Sequence, residues 1–347
     1  MKILLGMSGG LDSTYAAHKL MSEGHTVEGA VLIMHDHTDT QAAAEAAKNL
    51  GIALHEVDCR TEFEERVVAS FISEYLAGRT PNPCVVCNSE VKFRILLDYA
   101  LSRGFDAIAT GHYARIVKRE TESGIRYSVS RARDSKKDQT YMLWRISQDV
   151  LARLYFPLAD EEKNNIREAA RGLGLSAADR GESQEICFIP DGDYADFIEK
   201  RTAPSPHGSF IDKEGKILGE HQGIIRYTVG QRKGLGIAMG KRVFVTDINA
   251  YENTVTLSEE DSFTDILNVD GMVFSGIAEP KALEKLRLAV KVRYLATPIM
   301  CTLEYLGDGK GRVKLDLFQR AVTPGQSAVF YDGNDLVAGG FISDISI

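Results

Sequence analysis

Up to residue 111 the chain alternates short apolar runs with stretches whose apolar residues recur every three to four positions. Ile3–Leu5, Val27–Met34, Ala53–Val57 and Ala107–Ala109 have the length of buried strands, and the stretches near 14–23, 40–50, 61–77 and 90–103 have helical periodicity. This alternation predicts an α/β domain with a doubly wound parallel sheet. Farther on, residues 113–117 and 126–130 flank a polar turn and read as a hairpin. Lys136, Lys137, Asp138 and Gln139 then open a predicted helix that contains Trp144, and another helix is expected near 160–172. Pro204 and Pro206 mark a linker, after which short strands and glycine turns replace the helical pattern. Strand-like runs at 269–275, 288–294, 299–306, 312–318, 327–331 and 336–343 suggest a small β-barrel. The expected organisation is an α/β domain over 1–203, a central β-rich domain over 204–266 and a C-terminal barrel over 267–347.

Ligands of parallel sheets sit beyond the carboxyl ends of the strands. Three groups fall there: the turn Gly6-Met7-Ser8-Gly9-Gly10-Leu11-Asp12-Ser13, then Met34 with His35, Asp36 and His37, and the pair Gly111-His112. The glycines let backbone N–H groups approach a phosphate, Ser8 and Ser13 add hydroxyls, and the following helix start favours negative charge. An ordinary βα turn would also use such residues. No Walker A lysine follows the glycines, however, and the string resembles the S-G-G-x-D-S loop of the ATP pyrophosphatases, which release pyrophosphate while adenylating an oxygen. The alternation of His35 and His37 with Asp36 and Asp39 reads as a polar strand end and not as a metal site. Gly234, Gly236 and Gly240 do not have the dinucleotide spacing, so with Arg232, Lys233, Lys241 and Arg242 they read as a basic glycine-rich edge.

Composition narrows the setting. The chain has 347 residues, 44% apolar and 26% charged, and no apolar run approaches the roughly 20 residues of a membrane span. A cytoplasmic protein without membrane contact is expected. Five cysteines, odd in number and irregularly spaced, argue against a disulfide framework. A net charge of −8 argues against blanket nucleic-acid affinity but leaves room for a local basic face.

Arg79-Thr80-Pro81-Asn82-Pro83-Cys84-Val85-Val86-Cys87-Asn88 is a proline-shaped loop holding two thiols one turn apart before a helix, where a depressed cysteine pKa is expected. Cys187, in an apolar run, reads by itself as a core cysteine, as do Cys59 and Cys301. With Glu90-Val91-Lys92-Phe93, Gly111-His112-Tyr113-Ala114, Lys137-Asp138-Gln139, Ser183–Ile189, Val229–Gly236 and Thr323-Pro324-Gly325-Gln326 in order, the chain resembles the tRNA-specific 2-thiouridylases from end to end.

The resemblance implies an adenine nucleotide α-hydrolase-like fold and a sulfurtransferase that adenylates the C2 oxygen of a wobble uridine and replaces it with sulfur. It implies ATP and Mg²⁺ on Gly6–Ser13, Met34 and Gly111, with Asp12 among the catalytic residues. Cys187 would carry a persulfide supplied by a cysteine desulfurase or relay protein, Cys87 would be its catalytic partner, and the two would end as a disulfide. Asn82, Pro83 and Cys84 match base-contacting positions, whereas His112, Lys137, Asp138, Gln139, Arg293, Tyr294 and Gln326 match tRNA-contacting ones. The enzyme is expected to act as a monomer. Cys84 stands where the family often has Asp, so an iron-sulfur cluster on Cys84, Cys87 and Cys187 is an alternative to disulfide chemistry. A related ligase or amidotransferase acting on a small metabolite is the other reading, although it has no use for two thiols. Truncation before Asn268 is expected to leave nucleotide binding in place.

Overall fold

In a computed structural model the structure describes residues 1–121, 124–175 and 186–346. A parallel sheet forms from β1 (Lys2–Gly6), β2 (Thr26–Ile33), β3 (Leu54–Asp58), β4 (Ala107–Thr110) and β7 (Leu154–Tyr155), in the order β3-β2-β1-β4-β7. Ile3, Leu4 and Leu5 are fully buried, because helices cover both faces of this sheet. The order reverses between β1 and β4, which opens the crevice beyond their carboxyl ends. Helix α1 (Leu11–Ser22) leaves β1, and α2 (Thr40–Leu50), N-capped by Asp39, leaves β2. The helices over 60–76 and 83–102 each carry a π-helical stretch, Glu64–Val68 and Cys87–Lys92.

The hairpin β5 (Ala114–Thr121) and β6 (Gly124–Arg131) forms as expected. The helix expected after Lys136–Gln139 does not form. Only a single 3₁₀ turn, Thr140–Met142, is present, because Asp138 accepts from both the amide and the hydroxyl of Thr140 and so diverts the groups a helix would use. A short helix follows at Gln148–Leu151, and the helix expected near 160–172 spans Lys163–Gly172.

The central sheet consists of β8 (Gly208–Ile211), β9 (Ile217–His221), β10 (Phe244–Asn249) and β11 (Thr254–Ser258). The C-terminal strands β12 (Phe263–Phe274), β13 (Lys285–Lys291), β14 (Ile299–Gly307), β15 (Lys310–Arg320), β16 (Ser327–Asp332) and β17 (Asp335–Ser346) close into an antiparallel barrel through β12 and β17.

The barrel is not a separable appendage. Strand β6 pairs with β17, and Val329, Tyr331 and Leu336 share one apolar core with Cys87, Val91 and Trp144 of the N-terminal domain. Trp144 Nε1 donates to Ser327 Oγ at 3.0 Å, and Tyr141 Oη donates to Ser327 O at 2.9 Å. Truncation before Asn268 would therefore also strip buried apolar surface from the N-terminal domain.

Candidate active site

The glycine turn is built by close packing. Gly9 lies at φ +74°, and a Cβ there would sit 2.3 Å from the carbonyl carbon of Ala42 in α2, so only glycine fits. Ser13 Oγ donates to Gly10 O at 3.1 Å, accepts from Ser8 N at 3.3 Å and lies 3.3 Å from Ser8 Oγ. The side chains of Met7 and Leu11 point into the core, leaving the main chain of those residues for a ligand. Gly111, at the end of β4, abuts the first turn of α1: a Cβ would lie 2.8 Å from the Asp12 carbonyl carbon and Ser13 N. The structure thus brings Gly6–Ser13 and Gly111 into one crevice.

Asp12 has partners that sequence reasoning missed. Both of its oxygens accept from Lys163 Nζ at 2.7 Å, and Oδ1 also accepts from Tyr113 Oη at 2.8 Å. The carboxylate expected to serve Mg²⁺ is therefore already engaged by an ammonium. Tyr113 follows Gly111-His112 directly and could have been noticed; Lys163, a lysine opening a helix far along the chain, has no local signature.

Asn82 caps the helix over 83–102, its Oδ1 accepting from Cys84 N at 3.2 Å, with Pro83 in the first turn. One turn later Cys87 is buried, and its Sγ donates to Met34 Sδ at 3.7 Å, which ties the thiol to the end of β2. Cys84 and Cys187 are exposed, which corrects the reading of Cys187 as a core cysteine. Ser183, Gln184 and Glu185 of its motif lie outside the described residues. Cys59 and Cys301 are buried as expected, and the Cys59 Sγ donates to Ile33 O at 3.5 Å.

The expected depressed thiol pKa is not what the site produces. Burial pushes Cys87 up to about 12, while the Lys92 ammonium acts in the opposite direction. All five cysteines are free thiols. Among the described residues no three His, Cys, Asp or Glu side chains are grouped as a metal centre would need.

The residues expected to meet tRNA divide. Asp138 is buried against Thr140 and Lys291, and Gln139 Oε1 accepts from Tyr113 N at 2.9 Å, so Gln139 braces the loop beyond β4. His112 Nδ1 is 2.7 Å from Thr110 Oγ1, and burial between Phe93 and Phe156 lowers its pKa well below that of a free imidazole. Gln326 Nε2 donates to Thr80 O at 2.8 Å and Thr80 N donates to Pro324 O at 2.9 Å, so the barrel holds the proline loop directly. Asn82 Nδ2 contacts Met142 Sδ at 3.0 Å, and its other side lines a cleft of about 740 Å³ with Arg66, Arg79 and Arg145. Lys137 and Tyr294 are half-buried and Arg293 is exposed; burial raises the Tyr294 pKa, and its ring lies 6.1 Å from that of Tyr141. Met34 and Phe188, the residue after Cys187, line a second cleft of about 770 Å³.

Three family models cover the chain: a tRNA methyl transferase HUP domain over residues 1–191, a tRNA methyl transferase PRC-barrel domain over 195–259 and an aminomethyltransferase beta-barrel domain over 264–342. Proteins named tRNA-specific 2-thiouridylase MnmA are similar along their whole length. The one from Clostridium acetobutylicum is 44% identical, covering 98% of this chain and 99% of its own. That from Acetivibrio thermocellus is 43% identical with the same coverage, and that from Syntrophotalea carbinolica is 42% identical over 98% of both chains. With this identity over nearly the full length, and with family models covering residues 1–191, 195–259 and 264–342, the chain belongs to the tRNA-specific 2-thiouridylase family.

Proposed function

We infer that this protein is an ATP-dependent tRNA-uridine 2-sulfurtransferase that converts a wobble uridine to 2-thiouridine, releasing AMP and pyrophosphate. The observation that carries this reading is the 3.7 Å contact of Cys87 Sγ with Met34 Sδ, which sets a buried thiol at the end of β2, the neighbour of the strand that leads into the glycine turn. A small-metabolite ligase needs an acceptor amine or ammonia there, not thiols.

In this reading ATP lies on Gly6–Ser13, Met34 and Gly111, with its phosphates on the main-chain N–H groups, Ser8 and Ser13. Mg²⁺ would accompany the phosphates. Asp12, clamped by Lys163 and Tyr113, orients the first turn of α1. The uridine C2 oxygen attacks the α-phosphorus, pyrophosphate departs, and the adenylated oxygen becomes a leaving group. The Cys87 thiolate then attacks the inner sulfur of the Cys187 persulfide. The Cys87–Cys187 disulfide forms, and the sulfur–sulfur bond of the persulfide breaks with its electron pair on the terminal sulfur. That sulfur adds to C2 and AMP leaves with the oxygen. An external dithiol resets the disulfide.

Bases of a single-stranded anticodon loop can be splayed into such a crevice. Asn82, Pro83 and Cys84 would meet the base, with His112, Arg293 and Tyr294 around it and Lys137 on the tRNA side. Asp138, Gln139 and Gln326 would act from behind by holding the loops. The sulfur donor would be a desulfurase or relay protein that meets the exposed Cys187, with the enzyme a cytoplasmic monomer.

Labelled persulfide and tRNA test the thiol roles. Cys87→Ser should accept labelled sulfur yet make no thiolated tRNA, and Cys187→Ser should accept none at this site. Normal thiolation by Cys187→Ser would refute the assignment.

A further inference from the structure

Lys291 has no part in the chemistry described so far. It ends β13 of the barrel, opposite Val329 of β16, and its side chain is only 11% exposed. The ammonium crosses the seam between the barrel and the N-terminal domain: Nζ lies 3.9 Å from Asp138 Oδ2, and the Asp138 side chain is 4% exposed. Among the described residues no other cation lies within 4 Å of that carboxylate. Thr140 donates to it from its amide at 3.3 Å and from its hydroxyl at 2.9 Å, but neutral donors leave the charge itself uncompensated. The other neighbours are Tyr331, with Oη 3.0 Å from Thr140 Oγ1, and Arg131, whose guanidinium lies 4.5 Å from the centre of the Tyr331 ring. On the outer surface of the barrel a pair such as Lys285 and Glu304, 64% and 30% exposed, is screened by water and holds little. A buried carboxylate deprived of its cation instead has to leave its site, or take in water or a proton.

What Asp138 anchors lies next to the nucleotide turn. Its neighbour Gln139 is joined to Tyr113 in both directions: Gln139 N donates to Tyr113 O at 3.0 Å, and Tyr113 N donates to Gln139 Oε1 at 2.9 Å. Tyr113 Oη donates in turn to Asp12 Oδ1 at 2.8 Å, in the first turn of α1. Asp138 and Gln139 share one planar peptide unit, so a displaced Asp138 carries the Gln139 amide with it. A side chain of the barrel therefore stands at one end of a continuous run of contacts whose other end is the carboxylate of the glycine turn.

We propose that Lys291 is a positioning residue for the nucleotide turn: its ammonium fixes Asp138, and through the paired hydrogen bonds of Gln139 and Tyr113 the barrel holds Asp12 in place for the reaction. The inference rests on the sulfurtransferase reading for what the turn does, and on the contacts alone for how the turn is held. Lys291 touches no reacting atom and exchanges no proton in any step.

The test is hydrogen–deuterium exchange of the full-length protein, read at the Tyr113 and Gln139 amides, with pyrophosphate release in the presence of tRNA measured on the same preparations. Wild type is compared with Lys291→Met, Lys291→Gln and Lys291→Arg. Both neutral variants should exchange about tenfold faster at these two amides, because losing the buried partner frees the segment it anchors, while the β14 and β15 amides stay within about twofold. Lys291→Arg retains the charge and should return to within about threefold of wild type. Pyrophosphate release should fall about tenfold in kcat in the neutral variants, with KM for tRNA within about twofold. Adding Tyr113→Phe to Lys291→Met should slow the reaction little beyond the slower single variant, since both act through Asp12. Unchanged exchange at Tyr113 and Gln139 in a folded neutral variant would overturn the proposal, as would equal loosening in Lys291→Arg, unchanged kcat or additive losses in the double variant. Failure of both neutral variants to fold would overturn it too, by showing that the pair carries the whole fold. A wild type that releases no pyrophosphate with tRNA would instead remove the function proposed above, and the exchange rates alone would then decide whether Lys291 holds the turn.

Discussion

Removing the Lys163 ammonium tests whether the nucleotide turn is held from a distance. Its side chain is 8% exposed and that of Asp12 33%, with both carboxylate oxygens 2.7 Å from Nζ. Breaking a fully buried pair by deleting one partner costs about 3–5 kcal/mol, whereas an exposed pair contributes about 1 kcal/mol or less. With one edge of the carboxylate open to water and Tyr113 still donating to it, a coupling of about 2 kcal/mol is expected between these limits. The measurement is a double-mutant cycle of wild type, Lys163→Met, Asp12→Asn and the double variant, by urea denaturation with equal m-values as the condition for comparison. If that coupling orients Asp12 for the reaction, Lys163→Met should slow tRNA-dependent pyrophosphate release by about 30-fold, because each 1.4 kcal/mol is about tenfold in rate. A coupling below about 0.5 kcal/mol, or pyrophosphate release within about twofold of wild type, would refute the idea that this clamp matters.

Gly9→Ala should lose ATP binding in calorimetric titration and destabilise the fold by about 2–4 kcal/mol, since it adds a left-handed alanine and a Cβ 2.3 Å from Ala42; a neutral effect would mean that α2 yields easily. Gln326→Ala removes the hydrogen bond to Thr80 O and about 1 kcal/mol with it. It should lower kcat/KM for thiolation while leaving tRNA affinity within about twofold, and a large loss of affinity would restore Gln326 as a direct contact. If Lys137, Arg232, Lys233 and Arg293 contribute to a tRNA face, log affinity should fall with log salt at about −0.7 to −0.9 per phosphate neutralised, and a flat response would exclude such a face.

Much of the fold was legible in the sequence because its signals are local. Strand length, helical period and the glycine turn are written in neighbouring residues, and β1 to β4 with their helices lie close to where periodicity put them. The cysteine loop was legible for the same reason, since Asn82, Pro83, Cys84 and Cys87 belong to one helix start. What the tertiary structure alone decided depends on groups far apart in the chain. Lys163 reaches Asp12 across 151 positions and Gln326 reaches Thr80 across 246, and no spacing rule encodes either meeting. The thiol pKa was misjudged on local grounds: a helix start favours thiolate, but the packing of β2 and the helix over 60–76 around Cys87 buries the sulfur, and desolvation outweighs the local effect. The helix expected after Gln139 failed because a buried Asp138 took the Thr140 donors, a competition that depends on burial the sequence pattern does not show. Chain order determined which elements exist, and long-range packing decided which of their side chains are buried, paired or left to react.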